Sequence, residues 1–426
     1  MSVIEGMQTA GNVKKKKGTI VASIKTGKLS NLYSLPKFLY FIIVSVILTC
    51  LFAGVSVFGF NIRGYLWVLQ FLIAGTLIIR SGGRIAFPWY IWSPWLLVIL
   101  LYLPFYYTTD NAVQRTLMII LPVLVGSAVS QYVVETELIQ LFFRLVRQAA
   151  LVFFIFMGLI KSGVITTGTL PEITGFAAEA ITASMFAVIF AIEYLYGRPN
   201  ALRYWVMMCL VPVIALTRTG IVATVCTLPG SFAPLKLSKR LLILGVAGVL
   251  AVSVFYSERF QQKTFWSGSG ALSDLRLDNP DFKTTGRLWL WERMDNEIER
   301  EPWFGHGSNA QEAFIVAVTG IQGQPHNDWK RILFDYGYVG AGIFALCMLL
   351  QVIHALKMAR KSQGETQMLF YAGASSFIPF IMFMFTDNII LYAVFFGSLQ
   401  FTILGLAYAA KRTEDNKKTM SDKSDE

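Results

Sequence analysis

Residues 325–355 read PHNDWKRILFDYGYVGAGIFALCMLLQVIHA. Five of the first six residues are polar or turn-forming, and residues 331–355 are apolar enough to cross about 30 Å of hydrocarbon. One short stretch thus holds the border between a water-facing segment and a membrane span. Upstream of that border, residues 258–330 form a long polar segment with Thr285-Gly286-Arg287, Pro302-Trp303-Phe304-Gly305-His306-Gly307 and Pro325-His326-Asn327-Asp328. A loop of this kind has no part in spanning the bilayer, so functional residues are expected there first.

Further outward, apolar runs of spanning length lie near 38–58, 64–80, 89–107, 116–134, 139–161, 178–196, 201–217, 219–232, 240–257, 331–355, 367–386 and 389–410. They predict an all-α, polytopic helical membrane protein of about twelve transmembrane helices, with one large outward-facing loop carrying short helices. The eighth run is short and ends at Pro229-Gly230. The fifth carries Arg144 and Arg147 in its first half, which suits either a span or a segment lying along the interface before turning into the membrane.

Composition agrees: 55% of the 426 residues are hydrophobic and 15% charged, and the mean hydropathy is +0.55, too apolar for a soluble domain. The net charge of +11 is spread through short polar gaps rather than gathered on one domain, which argues against a nucleic-acid partner. Cys50, Cys209, Cys226 and Cys347 all lie in apolar runs without metal-ligand spacing, so neither zinc nor a disulfide framework is indicated.

The chain divides into a basic tail (1–37), nine spans (38–257), the loop (258–330), three spans (331–410) and a charged tail (411–426). The first tail carries Lys14–Lys17 and has no small-residue cleavage pattern after it, so it reads as a retained cytoplasmic tail. Even-numbered gaps then return to the cytoplasm, and they hold Arg80/Arg84, Arg144/Arg147, Arg198/Arg203, Lys236/Lys239/Arg240, Lys357/Arg360/Lys361 and Lys411/Arg412. The odd gaps are poor in Lys and Arg apart from the loop, as the positive-inside rule requires. Residues 258–330 and the tip Thr217-Arg218-Thr219 therefore fall on the outer face.

That topology puts Arg218, Arg287 and His326 on one side of the membrane. A fixed guanidinium suits a phosphate through paired hydrogen bonds; Arg218 could equally snorkel or pair with a loop carboxylate. Arg287 opens a stretch in which Trp291, Met294 and Ile298 recur at helical spacing. The expected helix, capped by Thr284 or Thr285, lies on the membrane surface with its tryptophans down. A neutral imidazole at His326 suits proton abstraction from a sugar hydroxyl, although His326 could also simply precede a helix cap at Asn327 or Asp328. Arg293, on a different face from Arg287, and Asn327 are secondary candidates. His306, between two glycines, reads as a turn residue, and His354 as an interface residue on the opposite side.

Thr217-Arg218-Thr219 at a helix tip, Gly286-Arg287 followed by Trp291, Pro302 with Gly305-x-Gly307, and His326-Asn327 leading into Gly337-Tyr338-Val339-Gly340 together resemble the O-antigen ligase and O-antigen polymerase superfamily. The motifs cover roughly residues 217–342. The resemblance implies a multi-pass protein of the bacterial inner membrane with a periplasmic active site. It further implies a glycosyltransferase that takes a glycan from undecaprenyl pyrophosphate and joins it to an acceptor glycolipid, without metal, cofactor or nucleotide sugar. Arg218 and Arg287 would bind the pyrophosphate and His326 would act in catalysis. The reading adopted is a polymerase that extends carrier-linked repeat units; the alternative is a ligase that delivers the glycan to lipid A-core. A third alternative, a flippase or transporter, predicts ionisable residues at midplane depth and an internal repeat. No repeat is visible, and Glu193 and Asp335 sit near span ends.

Overall fold

The computed structural model describes residues 34–52, 56–58, 60–80, 84–105, 111–164, 176–276, 279–283, 286–321 and 323–422. Most of the basic tail, Asp278 and the capping candidates Thr284 and Thr285 lie outside the described residues.

Each of the twelve apolar runs contains a helix among its described residues. Before the loop come α1 (Leu35–Leu51), α2 (Ile62–Arg80), α3 (Ser93–Phe105), α4 (Ala112–Val129), α5 (Thr136–Lys161), α6 (Phe176–Leu195), α7 (Ala201–Ile214), α8 (Arg218–Cys226) and α9 (Leu237–Phe255). The loop carries α10 (Glu258–Thr264), α11 (Arg287–Ile298) and α12 (Ala310–Thr319). After it come α13 (Asp328–Arg360), α14 (Gly364–Ser375), α15 (Phe377–Met384) and α16 (Ser398–Asp422). Among the described residues eight helical stretches are long and apolar enough to cross a membrane, with α14–α15 counted as one; α1, α3 and α7 are shorter and apolar, and α8 has nine residues. The one pair of strands among the described residues is a two-residue hairpin, Ser56–Val57 against Phe60–Asn61. The protein is thus an all-helical, polytopic membrane protein.

The fifth run forms one unbroken helix, not an interfacial segment that turns inward. Its Arg147 reaches Glu193 of α6 at 3.1 Å, which neutralises a cation that would otherwise favour the interface. At the centre of the bundle, α6 and the first half of α16 are buried almost throughout. Both carry repeated alanines, joined in α16 by Ser398 and Gly405, and such small residues let neighbouring backbones approach closely where lipid supplies no hydrophobic drive between helices. A Cβ on Gly405 would lie 2.6 Å from the Gly126 carbonyl oxygen, so α4 and α16 can cross there only with glycine. By contrast α9 is peripheral, with Phe255 its sole buried residue.

Helix α13 is broken near its start. Gly337 adopts φ 64°, ψ −169°, and the amides this break exposes are taken by the loop: Tyr338 N donates to Pro302 O at 2.8 Å and Val339 N to Trp303 O at 3.1 Å. From the other side comes Gly305, also at positive φ (69°). A Cβ on Gly337 would lie 2.4 Å from the Trp303 carbonyl, and one on Gly305 would lie 2.6 Å from the Gly337 nitrogen. Two of the sequence motifs, Gly305-x-Gly307 and Gly337-Tyr338-Val339-Gly340, are therefore the two halves of one backbone dock. His306 belongs to it, stacked on Phe334 with ring centroids 4.6 Å apart and with Nε2 3.6 Å from Glu297.

Candidate active site on the loop face

A cavity of about 540 Å³ opens where the loop meets the bundle. Its lining includes Ala180 of α6, the turn Leu216–Gly220, Lys263 of α10, Lys283, Arg287 and Trp291 of α11, and Thr386-Asp387 after α15. Four cations, Arg218, Lys263, Lys283 and Arg287, face it with one carboxylate, Asp387, among the described lining residues.

Arg218 is the first residue of α8, and the residue before its cap, Leu216, is held at φ 51°. A branched side chain in that region costs about 1 kcal/mol, so the packed surroundings enforce the turn. The guanidinium donates through Nη2 to Lys283 O at 3.3 Å and lies 4.9 Å over the Phe282 ring. Its Nη1 is buried without a hydrogen-bond partner among the described residues. The described partners are a carbonyl and a ring rather than the carboxylate allowed by the sequence.

Arg287 heads α11 and donates through Nη1 to Thr386 O at 3.0 Å. Helix α11 does not turn both tryptophans the same way. Residues 289 and 291 stand two positions apart on a helix and so face nearly opposite directions. Trp291 turns inward, lining the cavity and donating to Pro325 O at 2.7 Å, while Trp289 stays exposed. Met294 and Ile298 face α13 and pack with Ala310 and Phe334. Arg293 lies 4.5 Å over the Trp289 ring, away from the cavity.

His326 sits in the turn before α13 at φ 50°, another strained position. Two ties hold it there. Its amide donates to Asn388 Oδ1 at 3.0 Å, and Asp328 Oδ2 accepts from Ile390 N at 2.8 Å. Asn327 caps α13, accepting from Lys330 N at 3.0 Å, which makes it a structural residue of this turn. The His326 ring, 42% exposed, has Nδ1 3.4 Å from Asp387 Oδ1. Asn388 Nδ2 stands 3.2 Å from the same nitrogen and competes for it. The carboxylate contact is the charge-assisted one, and it favours a proton on Nδ1 with Nε2 free to accept another. Asp387 is itself fixed by the Asn388 amide at 2.8 Å and the Tyr392 hydroxyl at 3.1 Å.

His326 is not a wall of the cationic cavity. Asp387 connects the two, lining the cavity and touching the ring. The sequence reading missed Asp387, Asn388, Tyr392, Lys263 and Lys283. A signal existed for the first two: they interrupt the apolar sequence between the eleventh and twelfth runs, at the end of a span, where an ionisable residue is costly without a role. Lys263 and Lys283 carried none, because a lysine in a polar loop is usually only solvated.

A helical membrane protein with an anion-receptive cavity and an adjacent histidine–carboxylate pair is the class defined here. Residues 204–345 match the family model described as O-Antigen ligase. That third of the chain runs from α7 into α13 and contains Arg218, Arg287 and His326, and over it the chain is similar to the O-antigen ligase family. No individual curated protein matches the chain.

Proposed function

We propose that the protein is a glycosyltransferase of the outer leaflet of the bacterial inner membrane, taking a glycan from undecaprenyl pyrophosphate and joining it to an acceptor glycolipid at a periplasmic site. The observation that carries this reading is the joining of Arg218 and Arg287 in one cavity with Asp387, whose carboxylate also reaches His326. Outside the cytoplasm no ATP is at hand, so the donor arrives already activated, and a lipid diphosphate leaves readily once its charge is held.

In the proposed step the acceptor hydroxyl oxygen attacks the anomeric carbon and its proton passes to His326 Nε2. The anomeric C–O bond breaks, its electron pair stays on the phosphate oxygen, and the product is inverted. Arg218 and Arg287 hold the growing negative charge as paired donors. Asp387 keeps the imidazole oriented and balances the imidazolium formed.

The acceptor we propose is a second carrier-linked repeat unit, which makes the protein a polymerase. The description of the matched family model favours a second reading, delivery of finished glycan to lipid A-core. The glycan profile of a strain lacking the protein, complemented with His326→Ala, separates them. Single repeat units still capped onto the final acceptor support the polymerase; full-length carrier-linked chains with bare lipid A-core support the ligase. Normal glycan made by His326→Ala overturns the mechanism in both forms.

A further inference from the structure

A second cavity, of about 400 Å³, lies at the far end of α13 from the loop dock. Its lining includes His354 of α13, Lys411, Arg412 and Asp415 of α16, and Trp89 and Tyr90 in the turn before α3. The reaction proposed for the loop face makes no use of it.

A chain of hydrogen bonds running out of the bundle decides what His354 presents there. Trp92 Nε1, which can only donate, donates to Gln351 Oε1 at 3.1 Å. The Gln351 amide is thereby oriented, and its Nε2 donates to the Tyr408 hydroxyl oxygen at 3.0 Å. With that oxygen accepting from Gln351, the hydroxyl's own hydrogen goes to His354 Nδ1, 2.7 Å away. Nδ1 is then the accepting nitrogen, and the proton of the neutral ring stands on Nε2. Trp92, Gln351 and Tyr408 are all buried, so the order of donors is protected from water. The chain ends in an N–H donor that has no acceptor among the described residues.

Around that donor the charge is positive. Arg412 donates to the carbonyls of Arg84, Gln131 and Tyr132, which fix the guanidinium without cancelling its charge. Lys411 pairs with Asp415 at 2.5 Å, but the Asp415 side chain is 59% exposed, and such a pair is weak in water. Lys357 and Lys361 add their fields at His354. Among the described lining residues Asp415 is the one carboxylate. The walls suit a lipid better than a free ion. Trp89 and Tyr90 are more than half exposed, and α3 leads away from them with Leu97, Leu100 and Leu101 exposed. Amphipathic rings beside clustered cations at the end of an apolar helix are fitted to the headgroup region of a membrane.

We propose that this cavity binds the headgroup of an anionic phospholipid, whose phosphate accepts from His354 Nε2 and Lys411 in the field of Arg412 while its acyl chains lie against the exposed side of α3. The site stands apart from the reading of the loop face. Its occupant ties together α3, α13 and α16, which the cavity walls bring side by side.

The test titrates the full chain, purified in detergent, with dioleoyl phosphatidylglycerol, dioleoyl phosphatidylcholine or inorganic phosphate. Bound lipid is counted by native mass spectrometry and thermal midpoints are followed in parallel. One phosphatidylglycerol should bind saturably, with phosphatidylcholine about 10-fold weaker or more and inorganic phosphate unable to displace it. Lys411→Gln is expected to weaken phosphatidylglycerol binding about 5-fold and His354→Phe about 10-fold. Lys417→Gln removes the same charge from α16 outside the cavity, where Lys417 pairs with Glu135, and should leave binding unchanged. His354→Phe also takes the acceptor from Tyr408, so Lys411→Gln decides the matter if the histidine variant loses its thermal midpoint. Equal affinity for the two lipids, or equal loss in Lys411→Gln and Lys417→Gln, overturns the site. Phosphate that binds as tightly as the lipid overturns the lipid assignment and makes the cavity a site for a free anion.

Discussion

Two groups of charged residues meet the loop, and their arrangements are opposite. Beneath the dock of the loop on α13, Arg115 and Arg331 face Glu312 and Asp335. Arg115 Nε lies 3.8 Å from Glu312, Arg331 Nε lies 3.9 Å from Asp335, and Arg331 Nη2 donates to Asn309 Oδ1 at 3.1 Å. Asn309 donates to Glu312 at 2.7 Å, and Asp335 accepts from Gln311 N at 2.9 Å. Two cations meet two anions, so the charges balance. The cavity, in contrast, gathers four cations against one carboxylate among its described lining residues, while an orphaned guanidinium nitrogen is common to both groups: among the described residues Arg218 Nη1, Arg115 Nε and Arg331 Nη1 all lack a hydrogen-bond partner. Balanced buried charge bolts elements together; unbalanced charge at an open cavity waits for a ligand.

The comparison breaks most sharply at the arginines. Arg218→Ala and Arg287→Lys are each expected to lower transfer in membranes by about 10²-fold or more while leaving protein abundance near wild type, since lysine cannot form the paired donors. Full activity in either variant removes the clamp.

A change in the balanced group should act on the other quantity. Asp335→Ala leaves Arg331 buried without its carboxylate and is expected to destabilise the fold by about 3 kcal/mol or more. A lowered thermal midpoint and reduced abundance in detergent extracts would register it. An unchanged midpoint would mean that these charges do not bolt the loop to α13, and the contrast between the two groups would lose its structural half.

The same contrast explains what the sequence made legible. The all-helical, polytopic fold was readable because spanning length and hydropathy are local properties, although eight rather than twelve stretches among the described residues are long and apolar enough to cross a membrane. Arg218, Arg287 and His326 stood out because each carries a charge or a titratable ring where topology makes it costly. What stayed hidden depends on chain partners far apart. The Gly305–Gly337 dock joins a loop turn to a break in a later helix, and neither glycine announces its partner. Asp387 acquires meaning only when the break after α15 folds back on the turn before α13, more than sixty residues upstream. Inward-facing Trp291 needed the observation that positions 289 and 291 cannot share a helix face.

Asp387 offers a milder test of how the cavity and the histidine are joined. Asp387→Asn keeps the hydrogen-bonding shape beside His326 but removes the charge that balances an imidazolium. Because it acts through another residue, the expected fall in kcat is on the order of 10-fold, smaller than that of losing an arginine. The donor KM should barely move. A fall in donor affinity with unchanged kcat would instead assign Asp387 to the cavity alone.

The smallest expected effect is none at all, and it bears on what stabilises the leaving group. In the cavity the groups facing an anion are guanidinium and ammonium groups, with Asp387 already engaged by His326, Tyr392 and the Asn388 amide. Among the described lining residues a divalent ion would have to bind through that one occupied carboxylate against four nearby positive charges, whereas hard cations seek several oxygen ligands. Transfer by the purified protein from a lipid-linked donor should therefore keep its rate in EDTA. A rate lost in EDTA and restored by Mg²⁺ or Mn²⁺ would move charge stabilisation from the arginines to a metal, and would recast the imbalance of the cavity as a site for a metal–diphosphate complex rather than for the diphosphate alone.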